Sequence, residues 1–365
     1  MFDRRLLVNF DLVLLLSVLF IAIIGALNLY SICLSSWEQS SVFFYRQIYW
    51  ILIGLAVIFF VLPLNYLTFV RYAYYLHCLA LLVLLVVVVI GKTKLGSQRW
   101  LALGPVNIQP SEMAKITFVF MLSKFYSENC SAKPFGLRDL WLPALFLGVT
   151  FLLIFVQPDL GTAGIVALIF VSLLFFVRVK IKSFLLCAAA GIAALPLFWV
   201  FLKDYQKQRV LTFINPELDP LRSGYQIIQS KIAIGSGCLL GKGFSLGTQN
   251  QLRFLPEQHT DFAFSVWGEE WGFLGCLFLL FLFFLLLYRG LCIAFNSKNL
   301  AGAILALCLV FLLFWQIIIN LSMTVGLFPV VGVPLPLFSY GGSSMVTTML
   351  ATGLLLNIGM RKFKY

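Results

Sequence analysis

Ten apolar runs, each about as long as a bilayer is thick, divide this sequence. Their approximate limits are 10–33, 46–64, 70–90, 108–126, 141–156, 160–178, 182–202, 262–288, 299–327 and 340–360. A helix needs about 20 apolar residues to cross the hydrocarbon core. Within lipid only helices and closed barrels satisfy their own backbone groups. The runs therefore predict an all-α polytopic membrane protein of ten transmembrane helices, a single membrane domain over residues 1–365. Composition excludes the soluble alternative. The chain is 61% hydrophobic and 11% charged, whereas soluble domains carry about 25% charged residues. The first run is longer than the apolar core of a signal peptide and no small-residue cleavage pattern follows it, so it reads as a retained helix.

Orientation follows from Lys and Arg in the short loops. With the N-terminus inside, the cytoplasmic segments hold Arg4, Arg5, Arg71, Lys124, Lys133, Arg138, Arg178, Lys180, Lys182, Arg289, Lys298, Arg361, Lys362 and Lys364, against Arg46, Lys92, Lys94 and Arg99 in short outer loops. That loop bias explains a net charge of +12 without nucleic acid as a partner. An even number of spans puts both termini in the cytoplasm. Four polar segments then share the outer face: 91–110, the 157–160 turn, a large loop over 203–261, and 328–343. Function is to be sought where these converge.

Each outer segment has its own reading. In 91–110, Trp100 and Leu101 suggest a loop dipping into the interface, with Arg99 at headgroup level. Pro110-Ser111-Glu112 opens the fourth span, and proline suits a first helical turn. Gln157-Pro-Asp159 repeats that pattern at the sixth span. In the large loop, residues 221–235 put Tyr225, Ile228 and Ile232 on one face, as in an interfacial amphipathic helix. The following glycines, 235–243, suit tight turns against the membrane surface. The 328–343 segment holds three prolines and is too apolar for an aqueous loop. It reads as re-entrant, because irregular backbone at membrane depth is tolerated only against protein or a cavity.

Several residues carry chemistry. Asp261, in Phe254-Leu-Pro-Glu-Gln-His-Thr-Asp-Phe262, lies at the edge of the eighth run. It reads either as a cap of that helix, as Thr260 does, or as a general base whose pKa rises beside apolar surface. Glu112 and Lys115, three residues apart on one face, read as a structural ion pair or as a source of countercharge for Asp261 or an anionic substrate. Arg99, Arg209, Arg222 and Lys242 are solvated cations singly and a phosphate-engaging surface together. Glu269 and Glu270 lie inside an apolar run, so at least one must face the interior. His259 reads as a loop hydrogen-bonder and Asp11 as structural. The eight cysteines show no CxxC spacing and read as small buried hydrophobes. No G-x-S-x-G, HExxH or Walker motif is present.

Taken together, Phe-Leu-Pro-Glu-Gln-His-Thr-Asp-Phe262, Asn107-Ile-Gln-Pro-Ser-Glu-Met-Ala-Lys115, Gln157-Pro-Asp-Leu-Gly-Thr162, the run from Gly224 to Gly237 and Pro334-Leu-Pro-Leu-Phe-Ser-Tyr-Gly-Gly-Ser-Ser344 resemble the SEDS family of bacterial cell-wall proteins nearly end to end. Val330-Val-Gly-Val-Pro334 is closer to its rod-shape, elongation branch than to its division branch. The resemblance implies a peptidoglycan glycosyltransferase that polymerises lipid II, a disaccharide-pentapeptide on undecaprenyl diphosphate, at the outer face of the bacterial cytoplasmic membrane. It implies a class B penicillin-binding transpeptidase and other elongation-complex membrane proteins as partners. The family's essential aspartate falls on Asp261, and its glutamate and lysine on Glu112 and Lys115. Arg99, Gln109, Ser111, Gln157, Asp159, His259, Ser339 and Ser343 are the expected substrate-contacting groups. Asp261 then serves as base, with Lys115 and Arg99 stabilising charge on the diphosphate. No cofactor is indicated, and a divalent cation recruited by carboxylates near diphosphate stays open. A precursor flippase and a non-catalytic scaffold are the rival readings.

Overall fold

The computed structural model describes residues 9–34, 41–94, 97–103, 106–129, 133–215, 223–252 and 254–361. Arg4, Arg5, Cys130, the 216–222 stretch with Arg222, Lys362 and Lys364 lie outside them. The chain is predominantly helical. Its helices are α1 Leu12–Leu34, α2 Ser41–Val61, α3 Tyr66–Arg71, α4 Ala73–Ile90, α5 Pro110–Glu128, α6 Trp141–Val156, α7 Leu160–Phe176, α8 Ile181–Phe201, α9 Asp204–Ile214, α10 Ser223–Ser236, α11 Thr248–Gln251, α12 Ala263–Asn296, α13 Leu300–Thr324 and α14 Gly342–Met360. Among the described residues six of these are long and apolar enough to cross a membrane: α1, α2, α4, α12, α13 and α14. α6, α7 and the first part of α8 are shorter apolar helices. α5 carries Glu112, Lys115, Lys124 and Glu128 along its length, which lowers its hydropathy.

Sequence sets the helix ends locally. Asn65 caps α3 by accepting from Leu67 N at 3.0 Å, and Asn299 caps α13 by accepting from Ala301 N at 2.9 Å. Asp11 accepts from Leu14 N at 3.0 Å and pairs with Arg289 at 2.7 Å. It has the structural role expected, and pins the start of α1 to the later part of α12. α14 forms the centre: 83% of its most apolar window is buried, against 17% for α2 on the periphery.

Three features depart from the expectations. First, residues 92–108 are not a plain loop. β1 Lys92–Lys94, β2 Ser97–Leu103 and β3 Val106–Ile108 form an antiparallel sheet, with Lys92 opposite Trp100 and Leu101 opposite Ile108. Aromatic and β-branched residues fit such a half-buried pleated surface, so the fold is not purely α. Second, the cysteines are not uniformly buried: Cys33, Cys276 and Cys308 are, but Cys78 and Cys238 are exposed.

Third, the expected continuous span over 262–288 is broken. At Gly272 the backbone turns to φ 63°, ψ −160°, a region open in practice only to glycine. The upper limb then folds back on the lower. A Cβ on Gly268 would lie 3.5 Å from Cys276 Sγ, and one on Gly275 would lie 3.5 Å from Trp267 Nε1. The break frees two pairs of helical hydrogen-bonding groups, and the glycine-rich loop takes them up. Lys242 N and Gly243 N donate to the Glu269 and Glu270 carbonyls, both at 3.0 Å. Phe273 N and Leu274 N donate to Cys238 O at 2.9 Å and Leu239 O at 3.1 Å.

The 328–343 segment is irregular, as its prolines require. It lies deep: a Cβ on Gly25 would clash with Phe338 O, and Gly25 stands about 13 Å from the C-terminal end of α1 at ~1.5 Å per residue. Gln47 Nε2 donates to Ser339 O at 3.3 Å. α10 turns Ile227, Ser230 and Ala233 inward and leaves Ile228 and Ile232 exposed, with Tyr225 half-buried. That exposed stripe suits a membrane interface.

Candidate functional site

The four segments expected at the outer face do converge. Arg99, on β2, ion-pairs with Asp159 at 3.5 Å and donates to Gln157 O at 3.4 Å and to Pro158 O. Asp159 is 1% exposed and caps α7 through Thr162 N at 3.3 Å and Thr162 Oγ1 at 3.0 Å. Gln109 Nε2 reaches Asp159 Oδ2 at 3.0 Å and Ser111 Oγ at 3.1 Å, while Gln109 N donates to Ser343 Oγ at 3.1 Å. Gln157 is turned away, donating to Leu84 O at 2.9 Å. The 157–162 turn also packs on the 328–343 segment, since a Cβ on Gly161 would come within 2.5 Å of Val333 Cγ2. Five of the expected substrate side chains thus form one polar network, which the Gln157 carbonyl joins through Arg99, and Asp159 meets both Arg99 and Gln109.

His259 and Asp261 also lie against the 328–343 segment. Tyr340 N donates to His259 O at 2.9 Å, and the His259 ring stacks on Phe43 at 4.8 Å. Burial holds the imidazole pKa below its usual value, with Glu257 pulling the other way. Ser339 is spent internally, its Oγ accepting from Leu335 N at 3.1 Å.

Asp261 is half-buried, and its Oδ2 faces Gly332, where a Cβ would stand 3.6 Å away. Its carbonyl accepts from Asn320 Nδ2 at 3.0 Å. The cap of α12 is Phe262, with no side-chain bond, so the capping alternative for Asp261 is not what the fold uses. Loss of hydration raises the Asp261 pKa to about 6, Glu257 and Asp159 add to the rise, and Arg209 and Arg99 oppose it.

Lys115 is committed to a carboxylate of its own helix. It donates to Glu112 Oε1 at 2.7 Å, and the pair is sealed, at 0% and 4% exposed. Glu269 and Glu270 are both buried. Glu269 takes Lys242 at 2.6 Å, Thr248 Oγ1 at 3.0 Å and Gln249 N at 3.1 Å, and Glu270 takes Ser31 Oγ. Lys242 is therefore an ion-pair partner rather than a free surface cation. Among the described residues no three His, Cys, Asp or Glu side chains gather as metal ligands.

Sequence reasoning grouped Arg209 with the outer-face cations but did not single out Glu257, Asn320 or Gly332. The signal for Arg209 was the basic run from Lys203 to Arg209. Arg209 donates Nη1 to Val330 O at 3.0 Å, a partner 121 residues away that no local pattern reveals.

Membrane-length apolar helices, joined by segments that gather buried polar groups, define a multi-pass membrane protein. The family model described as cell cycle protein, of the FtsW/RodA/SpoVE type, matches residues 9–364. Peptidoglycan glycosyltransferase MrdB of Escherichia coli (strain K12) is 45% identical over 269 residues, 73% of this chain and 72% of MrdB. Stage V sporulation protein E of Bacillus subtilis (strain 168) is 35% identical over 356 residues, 95% of this chain and 96% of that one. A chain from a peptidoglycan synthase complex, titled as coordinating polymerization and crosslinking, matches 98% of this chain and 99% of itself, with TM-score 0.82 and 32% identity. The Thermus thermophilus rod shape determining protein RodA matches 97% of this chain and 98% of itself, with TM-score 0.73 and 30% identity. The chain belongs to the FtsW/RodA/SpoVE family, the SEDS family.

Proposed function

We infer that this protein is a peptidoglycan glycosyltransferase. Its substrate is lipid II, polymerised at the outer face of the cytoplasmic membrane during elongation. The observation that carries this reading is Asp261, a half-buried carboxylate whose pKa is raised to about 6 and whose Oδ2 faces the side-chain-free Gly332. A base is most effective with a pKa near the working pH. Asp261 takes the proton of an acceptor-sugar hydroxyl as that oxygen bonds to the donor's anomeric carbon. The bond from that carbon to the diphosphate oxygen breaks, and the lipid diphosphate leaves with the electron pair. Preorganised cations stabilise the charge that develops there. A divalent cation, where one takes part, arrives on the diphosphate, and activity against chelator concentration reads its contribution.

The ten apolar helices are the ten spans, with both termini inside and 203–261 outside. The neighbour from a synthase complex supports a class B penicillin-binding protein as partner, and other elongation-complex membrane proteins complete the assembly. The test is polymerisation of purified lipid II in detergent or nanodiscs, with that partner present. Wild type yields glycan chains and Asp261→Asn yields none. Wild-type rates from Asp261→Asn would overturn the assignment, and transbilayer movement of lipid II without polymer would favour a flippase.

A further inference from the structure

The end of α7 far from the 157–160 turn carries charge that the groups around Asp261 do not use. There Phe135, in the segment before α6, pairs with Val179, between α7 and α8, as a parallel bridge. Phe135 N donates to Arg178 O at 2.7 Å, and Lys180 N donates to Phe135 O at 3.0 Å. The Phe135 ring is buried and meets the Tyr126 ring of α5 edge-on at 5.3 Å. One buried aromatic residue therefore fastens two loops side by side. Along an extended chain, successive side chains face opposite ways. Val179 is half-buried, so Arg178 and Lys180 both stand outward, and both are exposed. Arg138 and Lys182, also exposed, complete a ledge of four cations. α6 runs from this ledge toward the 157–160 turn over 16 residues, about 24 Å at ~1.5 Å per residue.

The fold spends none of these four charges. Among the described residues none of the four has a carboxylate within 4.0 Å, although six such pairs occur elsewhere. The one carboxylate of residues 133–140 and 177–182 is Asp139, and its Oδ2 accepts from Gly136 N at 2.7 Å. Nor do the cations serve α8, whose start carries a positive partial charge and gains from anions instead. Beside them the apolar side chains of Trp141 and Ile181 are exposed at the starts of α6 and α8. Charge bordered by an exposed indole at the ends of apolar helices fits the level of lipid head groups, where basic pockets between helices hold anionic lipids. We propose that this ledge binds an anionic phospholipid, its phosphate on Arg138, Arg178, Lys180 and Lys182 and its acyl chains along Trp141 and Ile181. Loop-charge bias asks only that cations be present, whereas the Phe135 clamp sets where they stand. The site is separate from Asp261 and stands whether or not the chemistry there is glycosyl transfer.

The experiment is native mass spectrometry of the full chain, released from detergent titrated with cardiolipin, phosphatidylglycerol or zwitterionic phosphatidylethanolamine. Wild type should retain the two anionic lipids in preference to the third. Each Lys or Arg near an anionic surface is worth about fivefold in affinity. Arg178→Gln combined with Lys180→Gln should therefore weaken anionic-lipid binding by about twentyfold and leave phosphatidylethanolamine unchanged. Lys203→Gln combined with Lys231→Gln removes as many exposed charges elsewhere and should leave the preference intact. Phe135→Ala keeps every charge but unfastens the two loops, and it too should weaken anionic-lipid binding. Melting in lipid-free detergent checks the fold of each variant, and if Phe135→Ala does not fold the two glutamine pairs decide. Equal retention of all three lipids by wild type, equal losses in the two glutamine pairs, or wild-type binding by folded Phe135→Ala would each overturn the proposal. Retention of a poly-glutamate peptide without any preference for anionic lipid would assign the ledge to a protein partner and overturn it as well.

Discussion

Asp261 is where a single residue decides most. Its pKa in the fold, about 6, lies above its ordinary value of 3.8. Between those values the folded state binds more protons than the unfolded chain, so this group's contribution to stability falls as pH rises through that window. At neutral pH the ionised carboxylate is a cost to the fold. A residue kept at such a cost has the signature of a working group. Asp261→Asn should therefore lower polymerisation by about a hundredfold or more without lowering the melting temperature at pH 7.5. In wild type the turnover number should rise through pH 6 to a plateau. A variant that melts earlier and keeps its activity would make Asp261 structural. Much of this was legible in sequence, because a carboxylate at the start of an apolar run has few bland explanations. The i, i+3 spacing of Glu112 and Lys115 also forecast their pairing. What could not be read was how each cation is spent. Arg99 and Arg209 look alike in the chain, and only Asp159 and Val330, brought in by other segments, separate them.

The broken helix α12 shows why one element resisted reading. Trp267-Gly-Glu-Glu-Trp-Gly272 continues the apolar periodicity, and both limbs remain helical, so composition carries no sign of the fold-back. The break depends on a second segment, the 237–243 loop, replacing the hydrogen bonds that Gly272 surrenders. The inward-facing glutamates were legible, since an acid in an apolar run is too costly to face lipid. Two consequences follow. A Cβ on Gly272 would clash with Gly241 N at a φ of +63°, so Gly272→Ala should give little folded protein by size-exclusion chromatography. Lys242→Met leaves Glu269, 0% exposed, as a buried charge without its counter-ion. Losses of that kind cost about 3–5 kcal/mol, seen as an earlier thermal transition in detergent. Lys242→Met combined with Glu269→Gln should recover part of the loss. If the double variant melts no later than Lys242→Met alone, the ion pair is not what clamps the loop to the helix.

At the scale of the whole molecule, the sidedness of the chain links fold to function. The lower limb of α12, from Phe273 to Asn296, is about 36 Å long at ~1.5 Å per residue. That crosses a hydrocarbon core of about 30 Å unaided. The upper limb is then free to fold back and bring Asp261 under the 328–343 segment. Side contacts between α1 and α12 keep these levels: Asp11 meets Arg289 at one end and Ser31 meets Glu270 at the other. Hydropathy marks the helices as membrane-spanning, and loop charge offers an orientation for them, because lipid imposes both constraints on every helix. The small β1–β3 sheet escaped notice because it forms from three short pieces whose pairing is not local. The topology makes a direct prediction from two exposed positions, Lys203 before α9 and Arg138 before α6. With the wild-type signal subtracted, a cysteine in Lys203→Cys should react with a membrane-impermeant maleimide in intact cells. In Arg138→Cys the added thiol should react only after permeabilisation. The reverse pattern would put Asp261 on the cytoplasmic side, out of reach of a growing wall, and polymerisation at the outer face could not then be its work.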